Sequence, residues 1–260
     1  CAVSFFVQVY THGYMKEDPN YSKFYAYLSL FTFSMLGLVF STNLLQSYIF
    51  WELVGVCSYL LIGFWWYKPS AANACTKAFI VNRIGDAGLL IGLLMLYFST
   101  QKFWEGKTTL AFGQLKYALD FAINSHLLPI VGIISVTTIA LFVLMGPMAK
   151  SAQFPLHIWL PETHVEATTI GSIILASLLL KLGGYAFIRF LILLLSDITL
   201  YFQIFLNIIC IISLFFSLLI ILIQIDIKNI IAYSSIIHMN LSILGLVTLT
   251  KTGIIGGIIV

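Results

Sequence analysis

Charge is what this chain has least of. Of 260 residues only 9% are Asp, Glu, Lys or Arg, while 60% are apolar, and the mean hydropathy is +1.02. A soluble domain carries roughly 25% charged residues, so these residues cannot build a water-facing surface. The net charge of +3 is spread along polar connections with no basic cluster, which excludes a nucleic-acid interface. Cysteine is scarce as well. Cys1, Cys57, Cys75 and Cys210 are scattered without metal-ligand spacing, which excludes a disulfide scaffold and a zinc site. The chain has no glycine-rich nucleotide loop and no haem-type motif, so nothing in it signals a redox cofactor or a metal. It begins at Cys1 rather than Met and stops at Val260 inside an apolar run. It therefore reads as an incomplete protein with no signal peptide at either end.

The apolar residues fall in blocks of about twenty, the length that crosses a ~30 Å hydrocarbon core at 1.5 Å per residue. In lipid the backbone must satisfy its own hydrogen bonds, so only helices and closed barrels span. The blocks are continuous rather than alternating, which predicts an all-α, polytopic bundle of about eight spans. Residues 1–10 read as the tail of an earlier span. The stretch 24–67 is long enough for two, with a break near Ser41-Thr42-Asn43. Further spans are expected at 75–98, 129–160, 168–195, 200–224 and 229–249, with another starting at Thr252. The loop 100–126 is polar enough to lie outside the membrane. Threading these spans places Lys16, Lys23, Lys68, Lys77 and Lys228 on one side, against Lys102, Lys107, Lys116, Arg189 and Lys251 on the other. Loop charge therefore does not orient the chain.

The segment 129–160 is longer than a crossing needs and carries Gly146-Pro147 and Pro155. Proline removes a helix hydrogen bond and clashes with the preceding turn. An interrupted helix is expected, with its break between Met145 and Pro155. Such breaks expose backbone groups to polar cavities in transporters, although a plain kink has the same outline.

The informative residues are ionisable groups deep in apolar spans: Glu52, Arg83, Asp86, Lys150, Lys181 and His238. Insertion scales charge about 2.5–3.5 kcal/mol for Lys or Asp at a helix centre, so Glu52, Lys150 and Lys181 unpaired would cost on the order of 8–10 kcal/mol. Groups of this kind face one another or a wet cavity. Arg83 and Asp86, three apart on one helix face, are placed to pair with each other. Glu52 and Lys150, at similar depth, are expected to approach across their helices. Lys181 lies mid-span with no route to either surface. His238 alone would be a core histidine bonded to a carbonyl, and Arg83–Asp86 alone a structural pair. One carboxylate with two lysines on separate spans points instead to a proton path.

Two long stretches, Phe50-Trp51-Glu52-Leu53-Val54-Gly55-Val56-Cys57-Ser58-Tyr59 and Lys77-Ala78-Phe79-Ile80-Val81-Asn82-Arg83-Ile84-Gly85-Asp86, carry a resemblance, as does Ala149-Lys150-Ser151-Ala152-Gln153-Phe154-Pro155-Leu156-His157-Ile158-Trp159-Leu160-Pro161. They resemble the antiporter-like membrane subunits of complex I, and residues 1–161 resemble subunit 5. From Glu162-Thr163-His164 onward, through Leu180-Lys181-Leu182-Gly183-Gly184 and His238-Met239, residues 162–260 resemble subunit 4, with Thr168 where proline is usual.

The resemblance implies inverted five-helix repeats: 1–195 would hold a preceding tail plus the first repeat, and 196–260 the truncated start of the second. It implies proton transfer through Glu52, Lys150, Lys181 and His238, with Arg83, Asp86, Lys228 and His157 in support. NADH, flavin, iron–sulfur clusters and quinone would reside in partner subunits. The partners implied are other complex I membrane subunits, the lipid bilayer and protons, with no nucleic acid. Isoleucine content and the subunit 4 resemblance suggest the mitochondrial inner membrane, with thylakoid and bacterial membranes as alternatives. A subunit of a multisubunit sodium/proton antiporter shares these motifs, and a passive scaffold would also contain buried charge.

Overall fold

A computed structural model describes residues 2–101, 110–117, 130–192 and 196–260, with side-chain surroundings for all of these except 99–101, 130–136, 191–192 and 196–201. The described residues are helical with no strand, as the unbroken apolar blocks require. Helices α1 (Ala2–Tyr14), α2 (Tyr21–Phe40), α3 (Leu44–Ile62) and α4 (Pro69–Gln101) come first. The interrupted segment follows as α5 (Ile130–Lys150) and α6 (Leu160–Glu166). Then come α7 (Thr169–Phe190), α8 (Ser196–Ile221), α9 (Ile227–Val247) and α10 (Lys251–Ile259). Among the described residues six of these helices are long and apolar enough to cross a membrane: α2, α3, α4, α7, α8 and α9. The expected loop 100–126 lies outside the described residues apart from 100–101, which end α4, and 110–117, where Asn43 and Ala111 form an isolated bridge.

Local chemistry fixes where the helices start. Asn43 ends the break between α2 and α3 by accepting the Leu45 N–H at 2.9 Å, a side-chain cap of the usual kind. Thr168 caps α7 by accepting the Gly171 N–H at 3.0 Å.

Packing is tightest between α4 and α5. A Cβ added at Gly85 would lie 2.3 Å from Ala149 Cβ, and one at Gly92 would lie 2.8 Å from the Val143 backbone nitrogen. With Gly88 between them, these residues form a small-residue stripe that lets two membrane helices touch backbone to backbone. That contact carries the end of α5, and so Lys150, onto the helix bearing Arg83 and Asp86.

The other end of the bundle is tied by Arg189, which donates to the Val39 carbonyl at 3.0 Å and to the Ser41 carbonyl. Its guanidinium stacks on Phe112, 4.3 Å from the ring centroid. Lys77 pairs with Glu162 at the opposite end. Lys228 donates to the Val165 carbonyl at 3.2 Å, satisfying the last turn of α6 as a cation does at a helix C-terminus.

Candidate functional site

Helix α5 continues through Pro147 and ends at Lys150. Its terminus is a Schellman motif: Gln153 N–H bonds the Met148 carbonyl at 3.0 Å and Ala152 N–H bonds the Ala149 carbonyl at 3.2 Å. The motif needs a left-handed residue, normally glycine, and here Ala152 supplies it with φ of 52°. Residues 151–159 then run in turns before α6 begins. The expected interruption is present, but Gly146-Pro147 does not make it. The break comes one turn later.

Ser151, Ala152 and Gln153 in this break are fully buried, so their freed backbone groups must find partners. Phe154 N–H is accepted by Ser213 Oγ of α8 at 2.8 Å. Gln153 Nε2 donates to Cys210 Sγ at 3.6 Å. Trp159 Nε1 turns back to the Ala149 carbonyl at 3.1 Å.

Lys150 sits at the last helical position, with none of its side chain exposed. Its Nζ lies 3.5 Å from Asp86 Oδ2 and 5.7 Å from the centroid of the Trp51 ring. The second oxygen of Asp86 accepts Trp51 Nε1 at 2.6 Å. Gly55 leaves the space the ammonium occupies, since a Cβ there would be 3.1 Å from Lys150 Nζ. Beside this pair is a second one. Arg83 bonds Glu52, whose other oxygen accepts the Tyr48 hydroxyl at 2.5 Å. The Arg83 guanidinium lies 4.7 Å from the Phe79 ring centroid.

This arrangement corrects two sequence expectations. Glu52 pairs with Arg83 rather than with Lys150, and Arg83 and Asp86 do not pair with each other. Both α4 residues reach to neighbouring helices, because α4 lies between α3 and α5. Four charges from three helices thus form two adjacent ion pairs. Trp51, which bonds Asp86 next to Glu52 in the chain, joins the two, and sequence reasoning gave it no role.

Lys181 and His238 lie apart from these pairs. Both are exposed on the flank of the described bundle, so Lys181 is not enclosed as its mid-span position suggested. Its ammonium donates to the Ala176 carbonyl at 3.1 Å. A π-helical stretch, Leu175–Leu179, immediately precedes it; such bulges are frequent at functional sites. His157 stacks on Phe154, with 5.9 Å between ring centroids. It also lines a cleft of about 590 Å³ with Lys77, Glu162, Gln224 and Tyr233. No group of three or more His, Cys, Asp or Glu that could hold a metal ion occurs among the described residues.

Membrane-length helices around a charged, buried helix break define a multi-pass membrane protein with a polar interior. Residues 41–260 match the transmembrane family described as NADH:quinone oxidoreductase/Mrp antiporter, and residues 1–25 match the N-terminus of complex I chain 5. The chain belongs to this NADH:quinone oxidoreductase/Mrp antiporter family.

It is 50% identical over 188 residues to NAD(P)H-quinone oxidoreductase chain 5 of Synechocystis, covering 72% of this chain and 26% of that protein. It is 51% identical over 189 residues to the chloroplastic subunit 5 of Anthoceros angustus, covering 72% of this chain and 24% of that one. The chain thus spans about a quarter of the length of these relatives. Its fold is that of a chain in the membrane-bound sulfane sulfur reductase, an archaeal respiratory membrane complex, with a TM-score of 0.81 and 23% identity over 94% of this chain and 47% of that one.

Proposed function

We propose that this chain is part of a proton-translocating, antiporter-like subunit in the membrane arm of an NADH:quinone oxidoreductase. The observation that carries this is the Lys150–Asp86 pair, fully enclosed at a helix break with the Arg83–Glu52 pair alongside. At about 4 Å and an effective dielectric near 20 a pair of unit charges interacts by ~4 kcal/mol, and at about 8 Å by ~2 kcal/mol. Each 1.4 kcal/mol is a tenfold change in a protonation equilibrium. Small displacements of Asp86 between Trp51 and Lys150 therefore load or unload the lysine, and the neighbouring pair passes the change along the row. Lys181 and His238 would continue the path on the flank, where the rest of the protein or a partner subunit meets this bundle. In this reading 1–195 holds the tail of a preceding helix plus the first repeat, and 196–260 opens the second.

The redox chemistry would belong to partner subunits that hold NADH, flavin, iron–sulfur clusters and quinone. The named relatives are cyanobacterial and chloroplast proteins, which supports an energy-coupling membrane and does not specifically support a mitochondrial one. The test is the assembled complex in sealed vesicles, comparing proton uptake with NADH oxidation for wild type and Lys150→Met. Loss of pumping is expected. Normal pumping by Lys150→Met would overturn the proposal. Pumping that requires sodium and no quinone reductase would favour the antiporter alternative that shares the family description.

A further inference from the structure

A pocket of about 300 Å³ lies where α2 begins, α3 ends and α4 begins. Asn20, Lys23, Tyr27, Tyr59 and Thr76 supply its polar lining, and none of the described residues lining it is a carboxylate. Lys23 has no ion pair among the described residues. Its ammonium, the Asn20 amide and the Tyr27 and Tyr59 hydroxyls also lack hydrogen-bond partners there. Thr76 donates its proton to the Ala72 carbonyl at 2.8 Å and adds no second donor. Four side chains thus present N–H and O–H groups around one positive charge, with no acceptor on the protein to receive them. That set selects an oxygen-rich anion, to which charge-assisted hydrogen bonds are the strong ones.

The place of the pocket in the fold narrows the choice of anion. Helices α3 and α4 are both long and apolar enough to cross a membrane, and the pocket lies where the two are joined, at headgroup level. Trp66 lines it and is 76% exposed, with Tyr67 beside it at 64%. Amphipathic rings of this kind collect at the boundary between membrane and water. Deeper along both helices the exposed surface turns apolar. Val56 lies one turn below Tyr59 on α3, and Ile80 and Ile84 follow Thr76 at intervals of four on α4, all exposed. Residues so spaced share one face of a helix. Tyr59 meets Phe79 edge to face, with 5.4 Å between ring centroids, so the two stripes run side by side. A soluble anion would use the pocket alone, whereas a lipid uses the pocket and the stripes together. The volume agrees, since it sits at the lower end of the roughly 300–1,000 Å³ usual for ligand pockets. It has room for a headgroup and not for acyl chains as well.

We propose that this pocket binds the phosphate of a membrane phospholipid. Lys23 is the counter-ion, Asn20, Tyr27 and Tyr59 donate to the phosphate oxygens, and the acyl chains lie along Val56, Ile80 and Ile84. No proton path is involved, so the proposal stands or falls separately from the translocation reading.

The test uses the assembled complex, stripped of lipid in detergent and then given phosphatidylcholine carrying a photoreactive group beside its phosphate. Crosslinks are expected to concentrate on residues 20–27 and 59–76, read by mass from the peptides. Unlabelled phosphatidylcholine should compete, whereas diacylglycerol with the same chains and inorganic phosphate should not. Lys23→Gln should raise the lipid concentration needed for half-maximal crosslinking by about tenfold, the scale of losing one charge-assisted hydrogen bond. Lys23→Arg, which keeps the charge, should recover most of it. Crosslinks spread evenly over the lipid-facing helices, or unchanged by Lys23→Gln, would overturn the proposal. Competition by inorganic phosphate would also overturn it, because the occupant would then be a soluble anion. Should the Lys23 variants not assemble, the wild-type protein decides alone, and equal competition by diacylglycerol and phosphatidylcholine refutes a phosphate site.

Discussion

Asp86 holds Lys150 and Trp51 at the same time, one carboxylate oxygen to each, at 3.5 and 2.6 Å. Removing one member of a buried pair leaves the other uncompensated and costs about 3–5 kcal/mol. Asp86→Asn and Lys150→Met are each expected to lower thermal stability on that scale. The double variant should lose less than the sum, with a coupling of about 1–3 kcal/mol. Unfolding of the purified complex in detergent measures all four forms, and strictly additive losses would show that the two residues do not interact.

Gly85 sets the distance across which that pair operates. A methyl group there would meet Ala149 Cβ at 2.3 Å and the Met145 carbonyl oxygen at 2.7 Å, and a helix backbone cannot yield as a flexible side chain can. Gly85→Ala should push α5 from α4, cost about 1–3 kcal/mol as overpacked cores do, and move Lys150 from Asp86. Loss of stability together with loss of pumping is expected. An alanine variant with unchanged melting would mean that the helices do not touch here.

Ala152 is an L-residue in a left-handed conformation, which costs roughly 1–2 kcal/mol. Ala152→Gly should stabilise the protein by a substantial part of that amount, because the Schellman hydrogen bonds are already formed. A melting temperature that falls in the glycine variant would show that the alanine methyl contributes packing worth more than the strain.

The hydrophobic blocks made the spans legible, since length and apolar continuity decide what crosses a membrane. Overlength made the broken helix legible too, although Pro147 lies inside the continuous part of α5 and does not cause the break. The pairing of the charges was not. Spacing puts Arg83 and Asp86 on one face of α4, but which partner each finds depends on how closely α3 and α5 approach, and glycines on α4 set that approach. The exposure of Lys181 and His238 is likewise a property of the assembled bundle. Ser213 and Cys210 were open to reading from their spacing along α8, yet an isolated serine in a hydrophobic helix says nothing until the backbone it supports is known.

Lys181 offers the clearest separation of structural from functional roles. Lys181→Met keeps length and apolar character, so assembly should survive while proton uptake coupled to NADH oxidation falls strongly. Lys181→Arg should fail as well, because a guanidinium does not release its proton in this range. Proton uptake and NADH oxidation in sealed vesicles distinguish the outcomes. Normal pumping by Lys181→Met would make this lysine a structural residue.

The π stretch at Leu175–Leu179 acts as a rotational offset within α7. One residue inserted into an α-helix advances everything beyond it by about 100° around the axis, so Thr169–Ile174 and Lys181 are read at different phases. The inward faces of the two halves are chosen separately. Deleting a single residue from 175–179 would close the bulge and leave Lys181 near its present orientation, whereas tightening the same residues to α geometry with none removed would turn it by about 100° about the helix axis. The direction this lysine faces is therefore coupled to whether one surplus backbone unit is held in the bulge, a discrete state that changes without altering any charged side chain.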